Sequence, residues 1–272
     1  YAAVYQLNDN KFVQIADVEL PDAQLPVKGM GDWAIVSTSK PYSLSSMWEG
    51  RTRADYYKVS LATGERTLIS EADYANYRLS STGKYAGTYN ATDSCWYTIN
   101  LADNRKIQLT TPQTFPAWDE DNDVPNYPSP HGMAGWTKGD AALLIYDRYD
   151  IWSFDPEGKK APVRLTKNGR ENKVTYRRIV LDREQMDIDL KEPMLMTGFN
   201  EVDKSTAVYR ARLIAPATPT LLAGGNYNYD NVMKAKNADK YIYSKENFEI
   251  FPDVWVADAN FKKGVQLTQG IR

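Results

Sequence analysis

Asp150-Ile151-Trp152-Ser153-Phe154-Asp155 is followed by Pro156-Glu157-Gly158-Lys159-Lys160 and then by 161–166, which ends on Leu165-Thr166. The first stretch alternates apolar and polar side chains with the period of a β-strand. The second is a tight polar turn, and the third is a short return strand. The unit recurs at Asp253-Val254-Trp255-Val256-Ala257-Asp258, a turn over 259–264, and Val265-Gln266-Leu267-Thr268. Earlier copies run over 96–101 with 106–110, and over 56–61 with 66–69; weaker ones pair 207–213 with 218–222 and 2–7 with 11–16. The closing leucines Leu68, Leu109, Leu165, Leu221 and Leu267 recur on roughly the 40–50-residue scale of a propeller blade, stretched by loop insertions.

A second pair of strands precedes several of these hairpins. Gly135-Trp136-Thr137-Lys138-Gly139-Asp140-Ala141-Ala142-Leu143-Leu144-Ile145-Tyr146 reads as strand, glycine turn, strand, and so does 77–89 around Gly83. Four short antiparallel strands per unit make a blade, so the fold class is all-β: a β-propeller of four-stranded antiparallel blades. The expected division is a partial blade at 1–30, blades at 31–72, 73–112, 130–168, 174–224 and 230–270, and an acidic, Pro-containing inter-blade loop at 113–129. That is an incomplete portion of about five to six blades. A pair of two-sheet sandwiches is the alternative, and the aromatic repeated at one place in the hairpin (Trp96, Trp152, Trp255) argues against it. Tyr1 opens directly on a strand-like alternation without a starting Met or a basic leader, which reads as a processed or truncated end.

Of 272 residues, 42% are hydrophobic and 25% charged, the balance of a soluble globular domain. A net charge of −2 offers no long-range attraction to phosphate backbones, so no nucleic-acid partner is expected. The longest apolar run, 141–146, is far too short for a membrane span, and no membrane insertion is expected. With one cysteine, Cys95, and one histidine, His131, neither an internal disulfide nor a zinc centre can be assembled. Cys95 lies in a strand-like run and reads as a small buried hydrophobe. No serine stands in a Gly-x-Ser-x-Gly elbow, and there is no phosphate-binding Gly-rich loop or dinucleotide fingerprint. No catalytic residue and no cofactor is therefore assigned to this chain.

Two constellations remain. Asp119-Glu120-Asp121-Asn122-Asp123 has the alternating acids that open a calcium loop. Val124-Pro125 stands where the loop glycine belongs and the closing bidentate Glu is missing, so it reads as a solvated loop with no metal. Pro130-His131-Gly132-Met133 and Tyr146-Asp147-Arg148-Tyr149-Asp150 fall in one expected blade. Arg148 and Tyr149 belong in a turn between two strands. An Asp147–Arg148 or Arg148–Asp150 pair pinning that turn is the structural reading. The functional one is a substrate or domain-interface contact by His131, Arg148 and Tyr149, the planar guanidinium holding a peptide carboxylate or carbonyl. Among the aromatics, most of which should fill the wedges between blades, Asn226-Tyr227-Asn228-Tyr229 is the set expected to be exposed.

The runs Ala134-Gly135-Trp136-Thr137-Lys138-Gly139-Asp140 and Leu144-Ile145-Tyr146-Asp147-Arg148-Tyr149-Asp150-Ile151-Trp152 resemble the propeller of bacterial prolyl oligopeptidase and dipeptidyl-peptidase-IV-like serine peptidases. Tyr241-Ile242-Tyr243-Ser244-Lys245-Glu246-Asn247-Phe248 through Pro252-Asp253-Val254-Trp255-Val256 to Leu267-Thr268 is similar to the last blade of that propeller. The resemblance implies a seven- or eight-bladed propeller capping an α/β-hydrolase domain that carries a Ser-Asp-His triad, none of it within these residues. It implies that domain and a peptide substrate as partners, a gating or positioning role in proteolysis, and a periplasmic or extracellular location. The chain departs from the dipeptidyl-peptidase branch in having no Glu-Glu pair, which puts aminodipeptidase specificity in doubt. A stand-alone propeller that binds protein or glycan is the alternative function.

Overall fold

Trp33-Ala34-Ile35-Val36 and Leu143-Leu144-Ile145-Tyr146 are apolar at every position rather than at alternate ones, a pattern that suits strands covered on both faces. The computed structural model describes residues 1–27 and 31–270. The 28–30 end of the expected partial blade, and Ile271-Arg272 after the last blade, lie outside the described residues.

The strands form antiparallel sheets in chain order. A hairpin pairs β1 (Ala3–Gln6) with β2 (Lys11–Gln14). One sheet is built from β3 (Asp22–Gln24), β4 (Trp33–Thr38), β5 (Ala54–Ser60) and β6 (Arg66–Asp73). The next holds β7 (Arg78–Leu79), β8 (Tyr85–Asn90), β9 (Cys95–Asn100) and β10 (Arg105–Gln108). Then come β11 (Met133–Thr137), β12 (Leu143–Tyr146), β13 (Ile151–Phe154) and β14 (Val163–Arg164). Between β15 (Val174–Arg178) and β17 (Met194–Asn200) the chain sends β16 (Asp187–Ile188) back to the edge of β11, giving that sheet a fifth strand. β15 and β17 continue with β18 (Thr206–Ala211) and β19 (Thr220–Ala223). The last sheet is β20 (Asn228–Lys234), β21 (Lys240–Glu246), β22 (Asp253–Asp258) and β23 (Val265–Gln266). These are the four-stranded antiparallel sheets of a β-propeller portion. β3 begins well before residue 31, where the first full blade was expected; its three residues, Asp-Ala-Gln, carry no apolar alternation to announce a strand. No helix among the described residues is long and apolar enough to cross a membrane.

The chain gathers into two units. The first is Tyr1–His131 with Gly135–Leu143 and Phe154–Ala161, and the second is Gly132–Ala134 and Leu144–Ser153 with Pro162–Arg272. In the first, successive residues of β4 feed different cores. Ala34 and Val36 join Val13, Ile15 and Val59, while Ile35 joins Tyr77, Ala86, Ile99 and Leu101. In the second, Leu144, Ile151, Leu165, Tyr176, Met196 and Leu213 form one core, and Val208, Tyr229, Tyr243 and Phe261 another. Each Val, Leu, Ile, Met or Phe among them contributes about 1.5–3 kcal/mol by leaving water. Cys95 is buried and free, with burial pushing its thiol up from the ordinary value.

The repeated Leu-Thr ending has a structural cause. The Leu165 amide donates to Ile151 O at 2.8 Å, and the same bond joins Leu109 to Trp96 and Leu267 to Val254. The next residue, a threonine, then accepts the amide that opens the preceding strand: Ile151 N to Thr166 Oγ1 at 2.9 Å, Trp96 N to Thr110 Oγ1 at 2.8 Å, Val254 N to Thr268 Oγ1 at 2.9 Å. In two sheets the threonine hydroxyl also donates to a buried aspartate, Asp150 at 2.8 Å and Asp253 at 2.8 Å. This Asp–Thr clasp satisfies the strand end and the carboxylate together. The turn between β13 and β14 is equally specified. Asp155 accepts the amides of Glu157, Lys159 and Lys160. Gly158 sits at φ 65° where a Cβ would meet Ile107 Cγ2 at 2.9 Å.

Thr166→Val keeps the shape and removes the hydroxyl. It is expected to cost about 1–3 kcal/mol, because the Ile151 amide loses its acceptor and Asp150 a donor; denaturant unfolding at constant m-value measures it. A second test concerns Lys58 of β5, which is buried, donates to Leu101 O at 2.6 Å and lies 4.2 Å over the Trp33 ring. Burial pushes its pKa below the ordinary lysine value. In the window between that lowered value and about 10.4 the unfolded chain binds more protons than the folded one, so stability rises with pH across it. Lys58→Met should flatten this rise in a pH series of unfolding midpoints.

Candidate functional site

The turn between β12 and β13, Asp147-Arg148-Tyr149-Asp150, is held from within. Asp147 Oδ1 accepts the amides of Tyr149 at 2.8 Å and Asp150 at 2.5 Å, and its Oδ2 accepts Trp152 Nε1 at 3.1 Å. Having turned inward to bind its own turn, Asp147 does not pair with Arg148. Nor does Asp150, which is fully buried and takes Thr166 Oγ1, Arg164 Nε at 3.1 Å, Arg164 Nη2 at 2.6 Å and the Arg170 amide at 3.3 Å. Burial nevertheless pushes the Asp150 carboxyl above its ordinary value, Asp147 adding to the effect against the pull of Thr166 and Arg164. The expected Asp147–Arg148 or Arg148–Asp150 pair is therefore replaced.

Arg148 goes instead to Glu201 in the turn between β17 and β18. Arg148 Nε donates to Glu201 Oε1 at 2.8 Å and Tyr149 OH donates to Oε2 at 2.7 Å. Two guanidiniums lie near the Tyr149 ring, Arg148 at 5.5 Å and Arg170 at 5.0 Å from its centroid. Burial, then the bond to Glu201, raises the Tyr149 pKa, so it stays a donor. Underneath, Arg177 donates to the carbonyls of Asp147 at 3.2 Å and Arg148 at 3.1 Å while stacking on Tyr146 at 4.5 Å. Both faces of the turn are pinned, one by Asp147 and one by Arg177. The Arg148 side chain keeps 26% of its surface exposed. The result is a braced platform on which Tyr149 is buried with its hydroxyl on Glu201, and the partly exposed Arg148 guanidinium is the group that can recognise planar polar groups through charge-assisted bonds.

His131 belongs to the first unit, where its amide donates to Ala117 O at 3.0 Å; Arg148 and Tyr149 belong to the second, and the structure joins those two through Glu201. Glu201, Arg177 and Gly169 were not singled out in the sequence. Glu201 lies about 50 residues from its partners, so no local pattern marks it. Gly169 packs so tightly that a Cβ would stand 2.6 Å from Asp150 Oδ1. In the acidic stretch, the Asp119 side chain accepts the Asp121 amide, and the Asn122 side chain bonds the carbonyls of Val124 and Asn126. Among the described residues no three His, Cys, Asp or Glu side chains converge on a point where a metal could sit. Of the aromatic set expected to be exposed, Tyr227 is half-buried and Tyr229 buried, because Tyr229 packs on Tyr243 in the β20–β23 core.

No family model and no curated protein matches the chain. Solved structures do. A structure of prolyl endopeptidases aligns over 93% of this chain and 37% of its own, at 11% identity and a TM-score of 0.52. Dipeptidyl peptidase 4 of Porphyromonas gingivalis aligns over 98% of this chain and 50% of its own, at 12% identity and a TM-score of 0.47. A putative TolB from Agrobacterium tumefaciens aligns over 96% and 86%, at 12% identity and a TM-score of 0.43. The first likeness is one of fold: this chain has a propeller portion of the kind those peptidases carry, and it spans little more than a third of the prolyl endopeptidase chain.

Gly169→Ala must displace Asp150, which four donor groups hold in place. The expected cost is about 1–3 kcal/mol, read as a shift in unfolding midpoint. Gly158→Ala serves as a comparison in which the strain falls on Ile107 rather than on Asp150.

Proposed function

We propose that this chain is the non-catalytic propeller of a serine peptidase of the prolyl oligopeptidase family, and that it gates or positions peptide substrates for an α/β-hydrolase domain of the same protein. The observation that carries the reading is the propeller likeness to prolyl endopeptidase over 93% of the chain, joined to the resemblance at 134–140 and 144–152. Within it, Arg148 and Tyr149, braced by Glu201, contact the substrate or the hydrolase domain, and His131 is a further contact. A peptide fits this platform because backbone carbonyls and a terminal carboxylate are planar acceptors matched to a guanidinium fork. The periplasm or the extracellular space is where such a peptidase would work.

The test uses the whole protein that contains these residues. It should hydrolyse a chromogenic proline-containing peptide, and a serine-directed inhibitor should abolish that activity. Arg148→Ala should raise KM by about tenfold, the loss of one charge-assisted contact, with kcat changed far less and the far-UV spectrum unaltered. A full protein without a Gly-x-Ser-x-Gly elbow, or one with no hydrolysis, overturns the reading. An unchanged KM removes Arg148 from it.

A further inference from the structure

A cavity in the second unit has a lining separate from the Arg148 platform. It holds about 320 Å³ between the β17–β18 turn, the start of β20 and the end of β21. Its wall includes the half-buried Tyr227, and the fully exposed ring of Phe248 belongs to its lining as well. The polar groups include the amides of Asn226, Asn228 and Asn247, the carboxylates of Asp203 and Glu246, and Lys204 and Ser205. Several are already oriented. Asn228 donates its side-chain amide to Glu246 Oε1 at 2.8 Å and accepts from Thr206 Oγ1 at 2.8 Å. Asp203 Oδ1 accepts the Ser205 hydroxyl at 2.6 Å and the Ser205 amide at 2.9 Å, which holds its carboxyl below the ordinary range and keeps it an acceptor. The Tyr227 ring is also held in place, edge-on to Tyr229. Lys245, which is not part of the cavity lining, lies 3.8 Å from the Tyr227 centroid and 4.9 Å from that of Trp255, so it braces Tyr227 from outside the cavity.

We propose that this cavity is a saccharide-binding site that takes a neutral pyranose unit. The chemistry of the lining selects that class. Cavities of this size hold small ligands by apolar rings plus a few placed polar groups. The carboxylates Asp203 and Glu246 are offset by the ammonium of Lys204 in the lining and by Lys245 behind it, so no strong net charge calls for an ionic ligand. Amide and carboxylate groups together offer donors and acceptors to neighbouring hydroxyls, and an exposed aromatic ring covers the C–H face of a sugar as it would any flat apolar surface. This inference does not depend on the peptidase reading.

The test is saturation-transfer NMR and calorimetric titration of the protein with cellobiose, maltotriose, chitotriose and mannotriose. At least one should bind, with transfer strongest at its ring C–H protons. Phe248→Ala should weaken that binding about tenfold or more, as loss of a stacked ring does. Because Phe248 is fully exposed, the variant should keep its unfolding midpoint. Asn228→Asp, which sets a second carboxylate against Glu246, should weaken it as well, while Arg148→Ala should leave it unchanged. No binding by any of the four sugars overturns the proposal, and so does binding that Phe248→Ala leaves intact. Displacement of the sugar by a proline-containing peptide, lost in Phe248→Ala, would also overturn it by making the cavity a peptide subsite. Peptide hydrolysis is measured separately, so either reading can fail while the other stands.

Discussion

The Asp–Thr clasp is the constraint on which the rest of the second unit hangs. A short sheet strand has amides at its ends with no ladder partner, and in a protein interior an unmet amide is costly. Here the opening amide of β13 is met by Thr166, the hydroxyl of Thr166 is met by Asp150 Oδ1, and the other oxygen of Asp150, Oδ2, is met by Arg164 and the Arg170 amide. One buried carboxylate thus ties together the start of β13, the residues that follow β14 and the short helix after them. Its burial is tolerable only because every listening donor is present; a buried carboxylate with a partner removed would be strongly destabilising.

The same carboxylate fixes where the candidate site lies. Asp150 ends the turn that presents Arg148 and Tyr149, so anchoring Asp150 anchors one side of that turn. Arg177 and Asp147 anchor the other parts through carbonyls and amides. With the turn backbone immobilised, Arg148 and Tyr149 have little choice but to reach the adjacent β17–β18 turn and share Glu201. A platform built this way loses little conformational entropy when a ligand arrives, which is the general advantage of preorganised sites.

How much of this could be read from the sequence follows the range of each interaction. The hairpins were legible because alternation and turn chemistry are local: Ile151-Trp152-Ser153-Phe154 followed by Asp155-Pro156-Glu157-Gly158 states both strand and turn. The Leu-Thr repeat was legible as a marker but not as a cause. Leu68, Leu221 and Leu267 are exposed, so their recurrence is not about filling a core; in the Leu109, Leu165 and Leu267 copies the leucine's amide and the threonine's hydroxyl do the joining. β3 and β16 were invisible because strands of two or three residues, each with a single apolar side chain, are too short to show a period. Glu201 was invisible for another reason: its partners are about 50 residues away, and nothing near it in the chain distinguishes it from a solvated turn acid. At the Arg148 turn, adjacency in sequence points to Asp147 or Asp150 as the partner, while the geometry commits those two carboxylates to amides, Thr166 and Arg164 and gives Arg148 to Glu201.

The repeated tryptophans show that the β11–β14 sheet has been specialised beyond what the fold requires. Trp152 and Trp255 occupy corresponding places in their hairpins, two residues after Asp150 and Asp253, while Trp96 stands one place earlier, where Ile151 and Val254 stand. The indole nitrogen of Trp255 is buried without a hydrogen-bond partner among the described residues. Trp152 donates to Asp147 at 3.1 Å. A propeller hairpin therefore tolerates an unmet indole at this place, and the fold alone does not demand the bond. Where the bond is made, it joins the ring to the turn that carries Arg148 and Tyr149, and Arg170 reaches the same Asp147 oxygen at 3.4 Å. The Cys95-Trp96 start of β9 makes the same point from the other side, since cysteine stands there where Asp150 and Asp253 stand in their strands. It retains the threonine–amide bond but brings no carboxylate to organise arginines. The arginine contacts gather in one sheet of several built on the same plan, at the turn that carries Arg148 and Tyr149.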